Sequence, residues 1–182
     1  MNKNQFKSQF LLKPQQLKAL NPKLNLKPAS VLIPLVEREN EIFVLLTQRA
    51  LHLRHHPGQV SFPGGRFEPS DVTLSQTATR ETEEEIGIAP SSIEIFGQMG
   101  LYQTVSNYKV TPFLGFVDAN YQLSIDENEV KEVFEVPWRF LLERTSHQVE
   151  KVTRRNQEHI VHFMPYEDKM IWGTTAHLYC TT

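Results

Sequence analysis

Three glutamates, Glu81, Glu84 and Glu85, stand at spacings i, i+3 and i+4, directly after Arg80 and some way behind a glycine pair, Gly64-Gly65. A helix running from about Val72 to Ile86 and stopping at Gly87 would carry them in its last turns, where the negative end of the macrodipole disfavours anions. At 100° per residue from Leu74, Ala78 falls near about +40°, Glu81 near −20°, Glu85 near +20°, Glu84 near −80° and Glu83 near 180°. Acidic runs are usually solvated helix faces; that fits Glu83 and fails for Glu81 and Glu85, which share the apolar stripe. Carboxylates on such a stripe must be protonated, paired with cations or bound to metal, and Arg80 alone cannot neutralise three. An all-oxygen donor set of this spacing suits Mg²⁺ or Mn²⁺, hard ions that keep waters free to meet phosphate. Gly64-Gly65, read as a turn before the helix, lets backbone approach an ion or a phosphate closely.

The elements that must position this group follow from the rest of the chain. At 182 residues, with 40% hydrophobic and 22% charged composition, the sequence has the balance of one globular domain with a real core. A net charge of −2 offers no basic field for nucleic acid, and no apolar run approaches a membrane span, so neither is an expected partner. The start of the chain lacks the apolar core of a secretory signal, and the single cysteine, Cys180, permits no intrachain disulfide; both fit a cytoplasmic location. Residues 1–28 read as one or two short helices and an extended arm packing on a domain that spans 29–182. Val31 to Val36 and Ile42 to Leu46 form a hairpin turning at Glu39-Asn40. Ala50 to Pro57 is a loop leading to a short strand, Gln59 to Phe62. Ile93 to Tyr102 is a strand in which Gly97 and Gly100 mark a bulge or a close backbone approach, and Val110 to Val117 is a strand in which Pro112 implies an edge or irregular pairing. Asp118 to Glu127 is a loop, Val130 to Val136 a strand, Pro137 to Leu142 a short helix, and Gln148–Thr153 with Ile160–Pro165 a hairpin. Ile171 to Leu178 begins a final helix with Trp172 buried. Strands flanking one well-marked helix indicate an α+β sandwich.

The run Gly65, five residues, Asp71, eight residues, Arg80-Glu81-Thr82-Glu83-Glu84-Glu85-Ile86-Gly87-Ile88 resembles the signature of the Nudix hydrolases. It is one residue longer than usual between its first acid and the arginine, has Thr82 where an aliphatic residue is usual, and leaves Asp71 and Glu68 both open as that first acid. The resemblance implies an α/β/α sandwich with a mixed central sheet and one catalytic helix. Upstream, Leu45-Leu46-Thr47-Gln48-Arg49-Ala50, then Arg54, Gly58 and Phe62-Pro63-Gly64-Gly65, is similar to a second signature, that of the coenzyme A pyrophosphatase branch. Further similarities at Val110–Phe113, Glu129–Pro137 and Ile171–Ala176 extend it from about Ala29 to Ala176.

These resemblances imply a pyrophosphohydrolase that cleaves coenzyme A or its thioesters to 3′,5′-ADP and a phosphopantetheine product. A Nudix hydrolase of ADP-ribose or dinucleotide polyphosphates, and a non-catalytic nucleotide-binding module, are the alternatives. Glu81, Glu84 and Glu85, with the Gly65 backbone, are the expected metal ligands, for Mg²⁺ or Mn²⁺, and Arg80 orients them. Glu129 is the candidate general base and Glu132 the second choice. Arg49, Arg54, Gly64 and Gly65 are the candidate substrate contacts, the arginines because a 3′-phosphate needs fixed cations. His52, His55 and His56 read as an ordinary polar loop rather than a zinc site. The expected partner is a small nucleotide, and the expected assembly a monomer or homodimer.

Overall fold

The computed structural model describes residues 1–12, 25–104, 106–143, 145, 147–154, 157–173 and 175–176. An eight-stranded mixed sheet lies at its centre. The long strands β1 (Lys27–Arg38) and β2 (Glu41–Arg49) are joined by Glu39 and Asn40, both at positive φ, which is the two-residue geometry that matches strand twist. Two short strands follow, β3 (Val60–Ser61) and β4 (Gly64–Arg66). Then come the helix α2 (Leu74–Ile86) and the strands β5 (Ile93–Gln98), β6 (Tyr102–Gln103), β7 (Tyr108–Val117) and β8 (Val130–Pro137). β7 runs parallel to β1 from Lys27↔Tyr108 to Leu35↔Phe116, while β8 pairs antiparallel with β2.

A second, three-stranded sheet consists of β9 (Gln148–Arg154), β10 (Gln157–Tyr166) and β11 (Lys169–Trp172). With α1 (Lys3–Leu12) and α3 (Trp138–Leu142) it covers one face of the central sheet. Phe6 and Phe10 of α1, Trp138 and Leu141 of α3, and Met164 and Ile171 of the small sheet share a core there with Ile33, Leu35, Val44, Leu46, Leu114 and Phe116. On the opposite face α2 packs over a smaller cluster, Val36, Leu45, Ile86, Ile88, Val117 and Val130.

Three expectations change, and one is narrowed. Gly64-Gly65 is a strand pairing with β1 through Ser30↔Gly65 and Val31↔Gly64, not a turn. The strand expected over Ile93–Tyr102 is two strands, although its bulge does fall between Ile95 and Gly97. Of the two readings of Pro112, an edge or an irregular pairing, the second holds: β7 has β1 on one side and β5 and β6 on the other. It is tolerated because it faces the break between Gln98, which pairs with Phe113, and Tyr102, which pairs with Val110. There its carbonyl accepts from Met99 N–H, and its missing donor, on the same strand edge, leaves no ladder partner unsatisfied. Trp172 lies in β11 rather than in a helix, 38% exposed and stacked on Phe163. Thr175 and Ala176 are helical; the rest of that expected helix, and Cys180, lie outside the described residues.

Candidate active site

α2 starts two residues later than its pattern indicated, because Thr73 is the N-cap and accepts from Gln76 N–H. It ends at Gly87, whose φ of 76° is the left-handed conformation glycine adopts without strain, with its N–H donated to the Glu83 carbonyl. The carbonyls of Glu85 and Ile86 are taken by Asp126 and Ser124 N–H, at 3.0 Å each. The loop following β7 therefore caps the end of the helix.

The glutamates fall as the wheel placed them. Glu85 is 5% exposed, the Glu81 side chain 15% and the Glu84 side chain 58%, and Glu83 faces solvent. Among the described residues the Glu85 carboxyl has one weak hydrogen-bond partner, Gly64 N–H at 3.4 Å. Burial pushes its carboxyl up to about 8, with the charges of Glu81 and Glu129 adding and Arg49 opposing. Burial also raises Glu81, against the pull of Arg80. Arg80 is the hub. It donates to both oxygens of Asp71 (2.9 and 3.1 Å), pairs with Glu84 at 2.7 Å and Glu81 at 3.1 Å, and reaches back to the Arg66 carbonyl.

Asp71, not Glu68, is the acid that braces loop to helix. It accepts from Arg80, from the buried Thr77 hydroxyl and from Glu68 N–H, and the guanidinium holds its carboxyl down at about 2. Thr77 was not singled out from the sequence, where its i+6 relation to Asp71 crosses the helix start and carries no periodic signal.

Gly65 explains the glycine pair. An ideal Cβ there would lie 2.3 Å from Glu81 Oε1, so any side chain would occupy the space of the carboxylate. Among the described residues no three His, Cys, Asp or Glu groups already converge as a coordination shell; Arg80 draws Glu81 and Glu84 to itself. The donors nonetheless fit a hard divalent ion: Glu81 and Glu85 are largely buried, the charge of Glu81 bears on Glu85, Glu84 reaches the rim, and the Gly65 backbone beneath Glu81 carries no side chain.

The charge of Arg49 opposes the protonation of Glu85, and β2 has a register shift between Gln48 and Arg49. Arg54 sits exposed farther along the loop. Glu129 is exposed, yet its charge reaches both Glu81 and Glu85, and its position is tied down: Ala50 N–H donates to the Glu129 carbonyl at 2.9 Å, and His52 Nε2 lies 3.1 Å from the Asn128 carbonyl. Glu132 is drawn elsewhere, paired with Lys169 at 3.0 Å. His55 and His56 are exposed and, with His52, belong to no potential metal cluster among the described residues. Two surface depressions, near Lys3 and Asp118 and near Gly87 and Tyr121, include none of Glu81, Glu84 or Glu85 in their walls.

Known proteins share this arrangement of chain. The family model described as NUDIX domain matches residues 26–168. The uncharacterized Nudix hydrolase NudL of Salmonella newport is 40% identical over 176 residues, covering 96% of this chain and 90% of its own. Among solved structures, a C. elegans Ap4A hydrolase binary complex superposes with a TM-score of 0.53 at 19% identity, over 61% of this chain and 80% of that one. The M. smegmatis Nudix hydrolase RenU gives 0.53 at 18% identity, over 62% and 71%. At these identities the two structures speak for the fold.

Proposed function

The chain belongs to the Nudix hydrolase family, and from that premise we propose that it hydrolyses the diphosphate bond of coenzyme A or its thioesters, releasing 3′,5′-ADP and 4′-phosphopantetheine or its acyl form. The observation that carries the hydrolytic part is the pairing of a buried, poorly partnered Glu85 with a bare Gly65 backbone beneath Glu81. A divalent ion, Mg²⁺ or Mn²⁺, held there by Glu81, Glu84, Glu85 and the Gly65 backbone would neutralise diphosphate oxygens and acidify a water.

The remaining roles belong to the chain itself. Arg80, anchored on Asp71, orients Glu81 and Glu84. Glu129, held at a carboxylate-rich edge by the Ala50 contact, accepts the proton of the attacking water. Arg49 and Arg54, on the loop before the glycine pair, supply the fixed cations for the 3′-phosphate, with Gly64-Gly65 as the floor under the diphosphate. The coenzyme A assignment is supported by the Leu45–Gly58 segment, because the stretch that resembles that branch carries Arg49, whose charge acts on Glu85.

A substrate panel with product identification tests this: coenzyme A, acetyl-coenzyme A, dephospho-coenzyme A and ADP-ribose, each with Mg²⁺ and Mn²⁺. Cleavage of coenzyme A to 3′,5′-ADP is expected. A preference for ADP-ribose would overturn the substrate, and tight ligand binding with no product in either metal would make the chain a binding module.

A further inference from the structure

Two hydroxyls meet on the strand that leads into the glycine pair. Ser61, at the end of β3, is opposite Thr47 on β2, and its Oγ lies 3.2 Å from Thr47 Oγ1. Thr47 is 1% exposed, whereas Ser61 is half-buried, so the pair leads from the interior toward the surface. Thr47 Oγ1 is also within donating distance of the Ser61 carbonyl, at 3.2 Å.

Register puts this pair on the side of the sheet that faces α2. Side chains alternate along a strand, so Leu45, Thr47 and Arg49 share one face of β2. Leu45 packs with Ile86 of α2, and the charge of Arg49 acts on Glu85; Thr47 stands between them. On β8, Val133 is opposite Thr47 and Val130 opposite Arg49, and both pack in the same cluster as Ile86. Ser61, as the partner of Thr47, shares that face, while its neighbours Val60 and Phe62 belong to the core on the other one. Farther along the same segment, Gly64 N–H is 3.4 Å from Glu85 Oε1. The Ser61 hydroxyl is thereby bracketed by residues that bear on Glu85 from the β2 side and from the glycine side.

An ionised diphosphate accepts hydrogen bonds and gives none, so its donors must come from the chain and the ion. Among the described residues no cation forms an ion pair with Glu85. A lysine or arginine in the place of Ser61 would compete with the ion for that carboxylate; a hydroxyl offers a donor without doing so. Thr47 O–H then donates to Ser61 Oγ and Ser61 O–H to the incoming oxygen, a chain in which each bond polarises the next. We infer that Ser61 is a substrate-binding residue whose hydroxyl donates to a non-bridging oxygen of the diphosphate, with Thr47 as the positioning residue that sets its direction. This rests on the diphosphate-cleaving reading above, whichever diphosphate is cleaved, and leaves the 3′-phosphate to Arg49 and Arg54.

Inorganic pyrophosphate isolates the contact, because it carries the diphosphate and no nucleoside. In calorimetry with Mg²⁺ the wild-type protein should bind it, and Ser61→Ala should bind it about tenfold to a hundredfold more weakly, the range of a hydrogen bond to a charged acceptor. Ser61→Thr, which keeps a hydroxyl, should recover most of that loss. Thr47→Val should cost less than Ser61→Ala, and the double variant should bind no worse than Ser61→Ala alone, because the two hydroxyls act as one unit. Unchanged pyrophosphate affinity in Ser61→Ala, or no binding by the wild-type protein, would overturn the inference. So would an equal loss of Mg²⁺ affinity measured without pyrophosphate, which would assign Ser61 to the carboxylates instead. A loss confined to pyrophosphate, in a protein that leaves coenzyme A intact, would defeat the coenzyme A reading and keep Ser61 on the diphosphate.

Discussion

The two faces of the central sheet are built from different materials. On the face under α1, Phe6 meets Phe96, Phe116 and Trp138 edge to face, Phe10 meets Phe96, and Phe96 stacks on Phe116. On the face under α2, the helix buries Thr77, Thr79, Thr82 and Glu85 beside only two apolar residues, Ala78 and Ile86. The first face gains from apolar burial and aromatic geometry. The second gives up much of that gain to keep carboxylates and hydroxyls where chemistry needs them. Stability and activity are thus divided between opposite sides of one sheet, and substitutions on the two sides should fail in opposite ways.

Glu85→Gln is the strongest test. Turnover should fall by about a thousandfold or more, while the thermal midpoint holds or rises. The metal-free protein should also respond to pH through this residue. With the folded carboxyl near 8 and the unfolded one near 4.5, the folded state keeps a proton that the unfolded state has released, so stability falls as pH rises across that window. Thermal melts from pH 5 to 8 should show this decline, Mg²⁺ should reverse it most at the alkaline end, and Glu85→Gln should flatten it. A variant that keeps full activity would break the division between the faces.

Phe6→Ala should do the reverse. Loss of a buried phenyl ring with three aromatic partners costs about 3–5 kcal/mol, measured by urea unfolding, while the folded protein keeps its metal requirement and its kcat within a few fold.

Asp71→Asn lies between the two. Its carboxylate holds Arg80 and, through it, Glu81 and Glu84. We expect a loss of about 2–3 kcal/mol together with roughly tenfold lower kcat. Because the Asp71 carboxyl is depressed to about 2, its contribution is present above the unfolded value of 3.8 and disappears as pH falls through 2. Acid melts of wild type and Asp71→Asn should therefore converge below that point.

Thr82→Val should be the mildest. The Thr82 hydroxyl bonds back to the Ala78 carbonyl at 2.7 Å, and that carbonyl keeps its helical N–H partner, so the change should alter stability by less than about 1 kcal/mol and leave kcat unchanged.

How much of this was legible beforehand differs between local and long-range features. The helix wheel separated Glu81 and Glu85 from Glu83 because a 3.6-residue period is a local property, and the Glu39-Asn40 turn was readable for the same reason. Asp71 and Glu68 stayed open until the Arg80 contact showed which one reaches the helix. Pro112 left an edge and an irregular pairing both open, because its tolerance depends on a break between β5 and β6 that no residue near it announces. Trp172 misled: an aromatic beside Ile171 reads as core, yet in β11 the two alternate, so Ile171 is buried and Trp172 turns outward. Glu129 is held near the carboxylates by Ala50 N–H on its carbonyl and by its own N–H donated to Asp126, whose amide in turn is held by the Glu85 carbonyl, links that chain order does not reveal.

The capping of α2 by the loop after β7 carries one more consequence. Ser124 and Asp126 lie in a segment without strand or helix, yet their amides are held by helix carbonyls, and a Cβ on Gly87 would press against Ser124. In deuterated water those two amides should behave as part of the helix, exchanging on its timescale while their loop neighbours exchange quickly. The loop that carries Glu129 would then open and close together with the last turn of the glutamate helix, as a single cooperative unit.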